Sequence, residues 1–297
     1  MLESLTTEKS NLQTINLDTM NTYDILSIMN DEDTSVPTVI RGQISQIERL
    51  VKRVISSFQA GGRLIYVGAG TSGRLGILDA AECPPTFSTP PELVQGLIAG
   101  GTSAIQVAVE GAEDNEAMGR QDLQALTITS KDTIVGIAAS GRTPYVVGAM
   151  RYANEIGAAT GSISCNKDAA ISEYADIAIE VVTGPEVLTG STRLKAGTAQ
   201  KLVLNMISTA SMIGIGKVYK NLMVDMKPTN QKLIERSKRI IMDATEADYE
   251  TASRTFDESG QHVKTAIVMI LANCDAASAR KKLAEHGGWI RKSVHTK

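Results

Sequence analysis

Along this chain, apolar runs of four to six residues alternate with longer amphipathic stretches. The runs are Leu64–Val67, Val94–Ile98, Thr133–Ala138, Ala159–Ser164 and Ile177–Val182. They are built from small and β-branched residues and lack the in–out alternation of a sheet with one wet face, so they predict strands buried on both faces. Helical spacing between them predicts helices over about 73–82, 115–125, 144–156 and 168–174. Strand and helix in strict alternation predict an α/β fold with a doubly wound, mostly parallel sheet.

The flanks follow other patterns. Residues 1–20 are polar and rich in Thr and Asn, and predict an extended or poorly ordered lead. A helix is expected from Thr22 to Asp31. A longer one after Pro37 carries Val39, Ile40, Ile44, Ile47, Leu50, Val51, Val54 and Ile55 at three- and four-residue steps, and stops at Gly61–Gly62. After the last apolar run, a long helix from Leu194 to Tyr219 bears the stripe Leu202, Val203, Met206, Ile207, Ala210 and Ile213, suited to a core or a subunit interface. Lys227–Asn230 breaks the pattern. Four short helices follow, at Leu233–Thr245, Tyr249–Ser259, His262–Asn273 and Ala276–His286, with Asp248 and Asp275 as N-caps and Gly260 and Gly287 as C-caps. The expected organisation is an N-terminal lead with helices (1–60), a central α/β domain (61–229) and a small C-terminal helical subdomain (230–297).

Composition narrows the function. Thirty basic residues against 33 acidic ones, over 297 residues, leave a net charge of −3, which gives no bulk attraction to nucleic acid or to an anionic membrane. The basic cluster Arg280, Lys281, Lys282, Arg291, Lys292 and Lys297 reads as a solvated helix face and tail. Cys83, Cys165 and Cys274 are scattered, with no C-x-x-C, which fits a reducing compartment rather than a disulfide framework or a zinc site. His262, His286 and His295 have no metal-ligand spacing. Met1–Asn11 has no hydrophobic segment of a secretory signal, and Ala266–Ala272 is too short to cross a bilayer. A cytoplasmic protein is expected, with no metal, nucleic-acid or membrane partner.

The candidate chemistry sits where apolar runs end. Val67 leads into Gly68-Ala-Gly70-Thr-Ser-Gly73, and Ile137 leads into Ala138-Ala-Ser140-Gly141-Arg-Thr143-Pro144. A buried strand that delivers a Gly/Ser/Thr loop to a helix N-terminus makes an anion site. Glycine lets the backbone approach, hydroxyls add donors, and the helix dipole favours negative charge. Two such loops predict a pocket for a phosphorylated small molecule. The first resembles the dinucleotide fingerprint, but no acidic residue ends the next strand, which runs into Ala99–Gly100–Gly101, and no G-K-[ST] closes either loop. Two carboxylates stand beside these loops: Glu82 before Cys83-Pro84-Pro85, and Glu113 in Glu110-Gly-Ala-Glu113-Asp114. Apolar neighbours are expected to desolvate Glu82, while a helix start near Glu113 favours a carboxylate; each also reads as an ordinary surface or cap residue. A third block, Gly184–Lys201, is dense in hydroxyls and bases at a helix entry. It reads either as another anion site or as a well-capped helix.

Taken together, Val67–Phe87, Glu110–Asp114, Leu188–Thr198 and Asn221–Asn230 resemble the N-acetylmuramic acid 6-phosphate etherase family, and the likeness extends from Leu5-Thr-Thr-Glu-Lys-Ser10 to the C-terminal helices. The resemblance implies a sugar isomerase (SIS) fold in 61–229 and a cofactor-free, homodimeric enzyme. It implies cleavage of a D-lactyl ether on a phosphorylated amino sugar, with Glu82 as catalytic acid and Glu113 as the second active-site carboxylate. Thr71, Ser72, Ser140, Gly141 and Thr143 are expected to hold the phosphate. A phosphosugar isomerase and a phosphosugar-sensing regulator on the same fold are the alternatives.

Overall fold

The computed structural model describes residues 5–228 and 230–295. Residues 1–4 of the predicted lead, Thr229 of the predicted break and the tail residues 296–297 lie outside the described residues. The chain divides into two compact units, Met1–Ala81 with Glu92–Ser208 and Glu82–Pro91 with Thr209–Lys297.

In the first unit five strands form one parallel sheet: β1 Leu64–Gly68, β2 Val94–Ile98, β3 Thr133–Ile137, β4 Ala159–Ser164 and β5 Ile177–Glu180. Their order is β2-β1-β3-β4-β5. All residues of β1, β3 and β4 are buried, as strands covered on both faces must be. The helices of this unit are α1 Thr22–Asp33, α2 Val36–Arg41, α3 Ile44–Gln59, α5 Glu116–Ala125 and α6 Pro144–Ile156, while α4 Gly70–Phe87 and α7 Lys195–Gly214 run on into the second unit. One core layer joins Ile65, Val67 and Ile134 of the sheet to Tyr145, Val146 and Met150 of α6.

Four expectations need correction. Residues 5–20 of the lead are ordered: they carry short 3-10 turns at Thr6–Glu8, Leu12–Thr14 and Leu17–Thr19, and bury Thr7, Asn11 and Thr14, with the Asn166 side chain bonding Thr7, the Gln13 N–H bonding Asn11 and the Val187 carbonyl bonding Thr14. The helix after Pro37 is two helices. It closes at Gly42 and Gln43, whose N–H groups turn back to Val39 and Ile40, and restarts at Ile44. The segment near 168–174 is a 3-10 turn, Ala170–Tyr174. The long helix stops at Gly214 rather than Tyr219, because Gly216 takes φ +79° and the Lys217 N–H folds back to the Met212 carbonyl.

The second unit holds α8 Gln231–Thr245, α9 Tyr249–Glu258, α10 Val263–Ala272, α11 Ala276–Glu285 and α12 Ile290–His295 around Ile241, Phe256, Ile267 and Val268. The Asp248 and Asp275 side chains accept from the Thr251 and Ser278 N–H groups, as N-caps do. Gly260 and Gly287 follow the C-cap residues with φ +72° and +59°. Asp225 is buried and bridges Lys264 at 2.8 Å and Lys217 at 3.0 Å.

One packing feature of the first unit positions the site. A Cβ placed on Gly119 of α5 would lie 1.9 Å from the Tyr145 carbonyl oxygen of α6, and one on Gly148 of α6 would lie 1.9 Å from the Glu116 oxygen of α5. The two backbones therefore touch at two points a turn apart. Alanine is the better helix former by about 1 kcal/mol. Here a rigid carbonyl stands in the way, so overpacking wins. Gly148→Ala is expected to lose roughly 1–3 kcal/mol of stability, read as a fall of several degrees in Tm; an unchanged Tm contradicts the contact.

Candidate active site

Both Gly/Ser loops leave the carboxyl ends of adjacent strands. From β1 the chain proceeds outward to β2, and from β3 it proceeds the other way to β4. The strand order reverses between them, and in open α/β sheets ligands bind in the crevice such a reversal opens.

The first loop is compressed by glycine. A Cβ on Gly73 would stand 2.8 Å from the Gly68 oxygen, so α4 begins against the end of its own strand. Gly70, φ +52°, turns the chain. In the second loop Gly141 has φ +73°, and a Cβ there would lie 2.4 Å from that of Ala169. Its N–H bonds the Ala138 carbonyl at 3.0 Å and its carbonyl accepts from the Ile171 N–H at 2.9 Å.

Ser140 and Thr143 line one open cavity, of about 480 Å³, together with Glu113, Arg142 and Leu5. Glu113 also borders a second cavity with Gly70, Arg74 and Glu110. Its backbone carbonyl accepts from the Tyr145 N–H, in the first turn of α6, at 3.0 Å. The main chain of Glu113, whose side chain is exposed, is thus anchored at the helix N-terminus that follows Ser140 and Thr143. The N-cap of α5 is Asn115, which accepts from the Met118 N–H at 3.0 Å, so Glu113 has no capping duty there.

The remaining predicted residues line neither cavity. Gly141 shapes its loop from a buried position. Thr71 is half-buried. Ser72 is buried, and its hydroxyl donates to Gln200 Oε1 at 3.0 Å. Glu82 belongs to the second unit and is exposed, so its apolar sequence neighbours do not desolvate it.

The third block resolves as a capped helix. Glu186, fully buried, accepts from the Lys195 and Ala196 N–H groups at 2.9 and 3.0 Å and so fills the N-terminus of α7 with the protein's own carboxylate. Burial pushes the Glu186 carboxyl above its ordinary range, against the pull of those two N–H groups and of Lys195. The Lys195 ammonium, itself buried, is paired with Glu32 of α1. The next turn of α7 reaches the first loop: Gly197 faces the Thr71 methyl, and Gln200 takes the Ser72 proton.

Sequence reasoning missed three groups. Gln200 is one; its Nε2 is buried with no partner among the described residues. Asp79 is another, accepting from Tyr66, Asn205 and Ser208 at 2.8–3.0 Å while burial raises its carboxyl. The third is Asn166, directly after β4. Its Oδ1 accepts from the Thr6 N–H at 2.7 Å and the Thr6 hydroxyl at 2.9 Å, and its Nδ2 donates to Thr7 Oγ1 at 3.0 Å and the Ala139 carbonyl at 3.1 Å. Each is a polar residue whose partners lie far away in sequence, so no local pattern marks it. Among the described residues no group of three His, Cys, Asp or Glu is arranged to hold a metal, and no helix is long and apolar enough to cross a membrane.

The chain is similar to known proteins along its whole length. Over 294 residues it is 64% identical to the N-acetylmuramic acid 6-phosphate etherase of Geobacillus sp. (strain WCH70), covering 99% of this chain and 100% of that one. It is 61% identical to N-acetylmuramic acid 6-phosphate etherase 2 of Lactiplantibacillus plantarum, covering 99% of each. The family model of the glucokinase regulatory protein N-terminal SIS domain matches residues 46–154. Among solved structures, a phosphoheptose isomerase from Francisella tularensis superposes with a TM-score of 0.53 at 16% identity, over 65% of this chain and 100% of that one. That likeness shows the fold: an SIS-type α/β sheet.

Cys165 follows β4 and is the cysteine next to the crevice loops. Burial, with the Glu186 charge nearby, pushes its thiol up to about 12, and its Sγ–H points to the Ala196 carbonyl at 3.7 Å. It is no nucleophile. At pH 8 iodoacetamide should alkylate the half-buried Cys274 and spare Cys165 in the native protein, as read by peptide mass spectrometry. Equal labelling of the two contradicts this burial.

Proposed function

The chain belongs to the N-acetylmuramic acid 6-phosphate etherase family, and from that membership we propose that it cleaves the D-lactyl ether of N-acetylmuramic acid 6-phosphate to N-acetylglucosamine 6-phosphate and D-lactate. The observation that carries the proposal is 64% identity across 99% of the chain. A regulator on the same fold is not favoured, since the regulator's domain matches residues 46–154 alone. The setting we propose is cytoplasmic recycling of bacterial cell-wall amino sugars.

The phosphate is assigned to the two loops, with Thr71 and Ser72 on one side and Ser140, Gly141 and Thr143 on the other; the N-terminal dipole of α6 adds to their donors. An unactivated ether resists hydrolysis. Once the sugar ring is open, the C1 aldehyde acidifies the proton on C2. Glu113 takes that proton. Glu82 protonates the ether oxygen as the C3–O bond breaks, D-lactate departs, and a C2=C3 double bond remains conjugated with the aldehyde. Water then adds, its hydroxyl to C3, with Glu82 taking the surplus proton and Glu113 returning one to C2. Both carboxyl groups end as they began, in a general acid–base cycle. Glu82 is open to water in the chain by itself, so the acid role requires water to be excluded around it when substrate binds.

D-lactate release from N-acetylmuramic acid 6-phosphate tests the activity directly. Glu82→Gln and Glu113→Gln should each lose at least about 10²-fold in rate. They should differ in D₂O: Glu82→Gln keeps exchange of the C2 proton while releasing little lactate, and Glu113→Gln loses both. Wild-type exchange in Glu113→Gln would refute the division of labour.

We also propose a homodimer. Helix α1 buries none of its residues within the chain, and Leu12, Ile15, Tyr23 and Leu26 near it are all more than 60% exposed. Light scattering at micromolar concentration should give twice the chain mass of 31.6 kDa; a monomer contradicts the proposal.

A further inference from the structure

The N-terminal segment has no part in the reaction as described, yet it is tied to the site. Asn166, 2% exposed, engages Thr6 and Thr7 with its carboxamide and the Ala139 carbonyl of the second loop with the same group. Farther along, the Thr14 hydroxyl donates to the Val187 carbonyl at 2.8 Å. These bonds hold residues 5–14 as a strap at the carboxyl edge of β3 and β4. Through them Leu5 becomes a wall of the cavity lined by Glu113, Ser140 and Thr143, and of the neighbouring cavity lined by Lys167 and Asp168.

The chemistry of the substrate says what such a wall meets. A base acts within hydrogen-bond reach, roughly 3 Å, of the proton it removes. Of the two cavities Glu113 borders, the one it shares with Ser140 and Thr143 takes the sugar when those residues hold the phosphate, and with Glu113 at C2 the acetamido group on that carbon lies there. The polar lining there is Glu113, Asp114, Ser140, Arg142 and Thr143, whose charged and hydroxyl groups are poor partners for a methyl. The apolar lining is Leu5 and Pro144, and Pro144 is locked into the first turn of α6. We propose that the strap is a specificity element: Leu5 supplies the apolar contact for the methyl of the C2 acetamido group, and Asn166 is the positioning residue that holds Leu5 there. This rests on the reading of the cavity as the phosphosugar site with Glu113 at C2.

The test is calorimetric binding of N-acetylglucosamine 6-phosphate and glucose 6-phosphate, which differ at C2, to the full chain. Wild type should prefer the acetylated ligand. In Leu5→Ser, a change at a half-buried position, that preference should shrink about tenfold, the scale of one apolar contact in a pocket, with glucose 6-phosphate affinity within about twofold of wild type. Asn166→Asp, which presents oxygen to the Ala139 carbonyl in place of a donor, should shrink the preference in the same sense. A preference unchanged in Leu5→Ser, whether or not both affinities fall together, overturns the inference and leaves the phosphosugar site standing. Failure of wild type to bind either sugar phosphate overturns that site reading and this inference with it.

Discussion

The contact between the backbones of α5 and α6 is the constraint on which the site depends. Glycine at 119 and 148 lets each helix lay a carbonyl against the other where a side chain would stand. With the helices that close, the chain entering α5 is carried onto the first turn of α6, and the Glu113 carbonyl takes the Tyr145 N–H, one of the donors a helix start otherwise leaves to solvent. The main chain of Glu113, on an exposed loop, is thereby anchored to the first turn of α6 by packing one layer below it.

The N-termini of α6 and α7 are satisfied in different ways. At α7 a buried glutamate, Glu186, satisfies two first-turn N–H groups, and the adjoining ammonium of Lys195 is neutralised by Glu32. At α6 the first turn carries Pro144, which has no N–H to satisfy, and the loop before it offers Ser140 and Thr143 to an open cavity. Main-chain carbonyls take the first-turn N–H groups of α6, Glu113 that of Tyr145 and Thr143 that of Val146, so the cavity there meets the Ser140 and Thr143 side chains rather than free helix donors. The Gly184–Lys201 block is thereby framework, while the second loop keeps two hydroxyl residues at a cavity.

The sheet and its order class were legible because strands buried on both faces leave continuous runs of Val, Ile, Ala and Gly, and because the loops that punctuate them are Gly-rich. The N-caps Asp248 and Asp275 were legible for the same local reason. The rest depended on distant partners. The Thr/Asn-rich lead looks unstructured until Asn166, some 160 residues away, supplies its hydrogen bonds. Glu186 looks like one acid in a charged helix entry until its burial and its two N–H partners are seen. Glu82, flanked by Ala and Cys, looks desolvated, but flanking residues in a helix point to different sides, and its own side is wet. Sequence neighbours do not set the solvation of a helical side chain; the face does.

The two Gly/Ser loops differ in how their hydroxyls are engaged. Gly141 is held by hydrogen bonds through both its N–H and its carbonyl, and its neighbours Ser140 and Thr143 already face the cavity. In the first loop the single proton of Ser72 goes to Gln200 Oε1, while Gln200 Nε2 has no partner among the described residues. A hydroxyl has one proton, so Ser72 donates to an anion only by leaving that carbonyl. Half a turn of the Gln200 carboxamide changes the count: Nε2 then donates to Ser72 Oγ, the hydroxyl proton is released, and the buried N–H gains the acceptor it lacks. The serine of the first loop is thus engaged within the protein, whereas Ser140 and Thr143 of the second line a cavity. The second loop has its hydroxyl residues at the cavity beside Glu113 without any such exchange of partners.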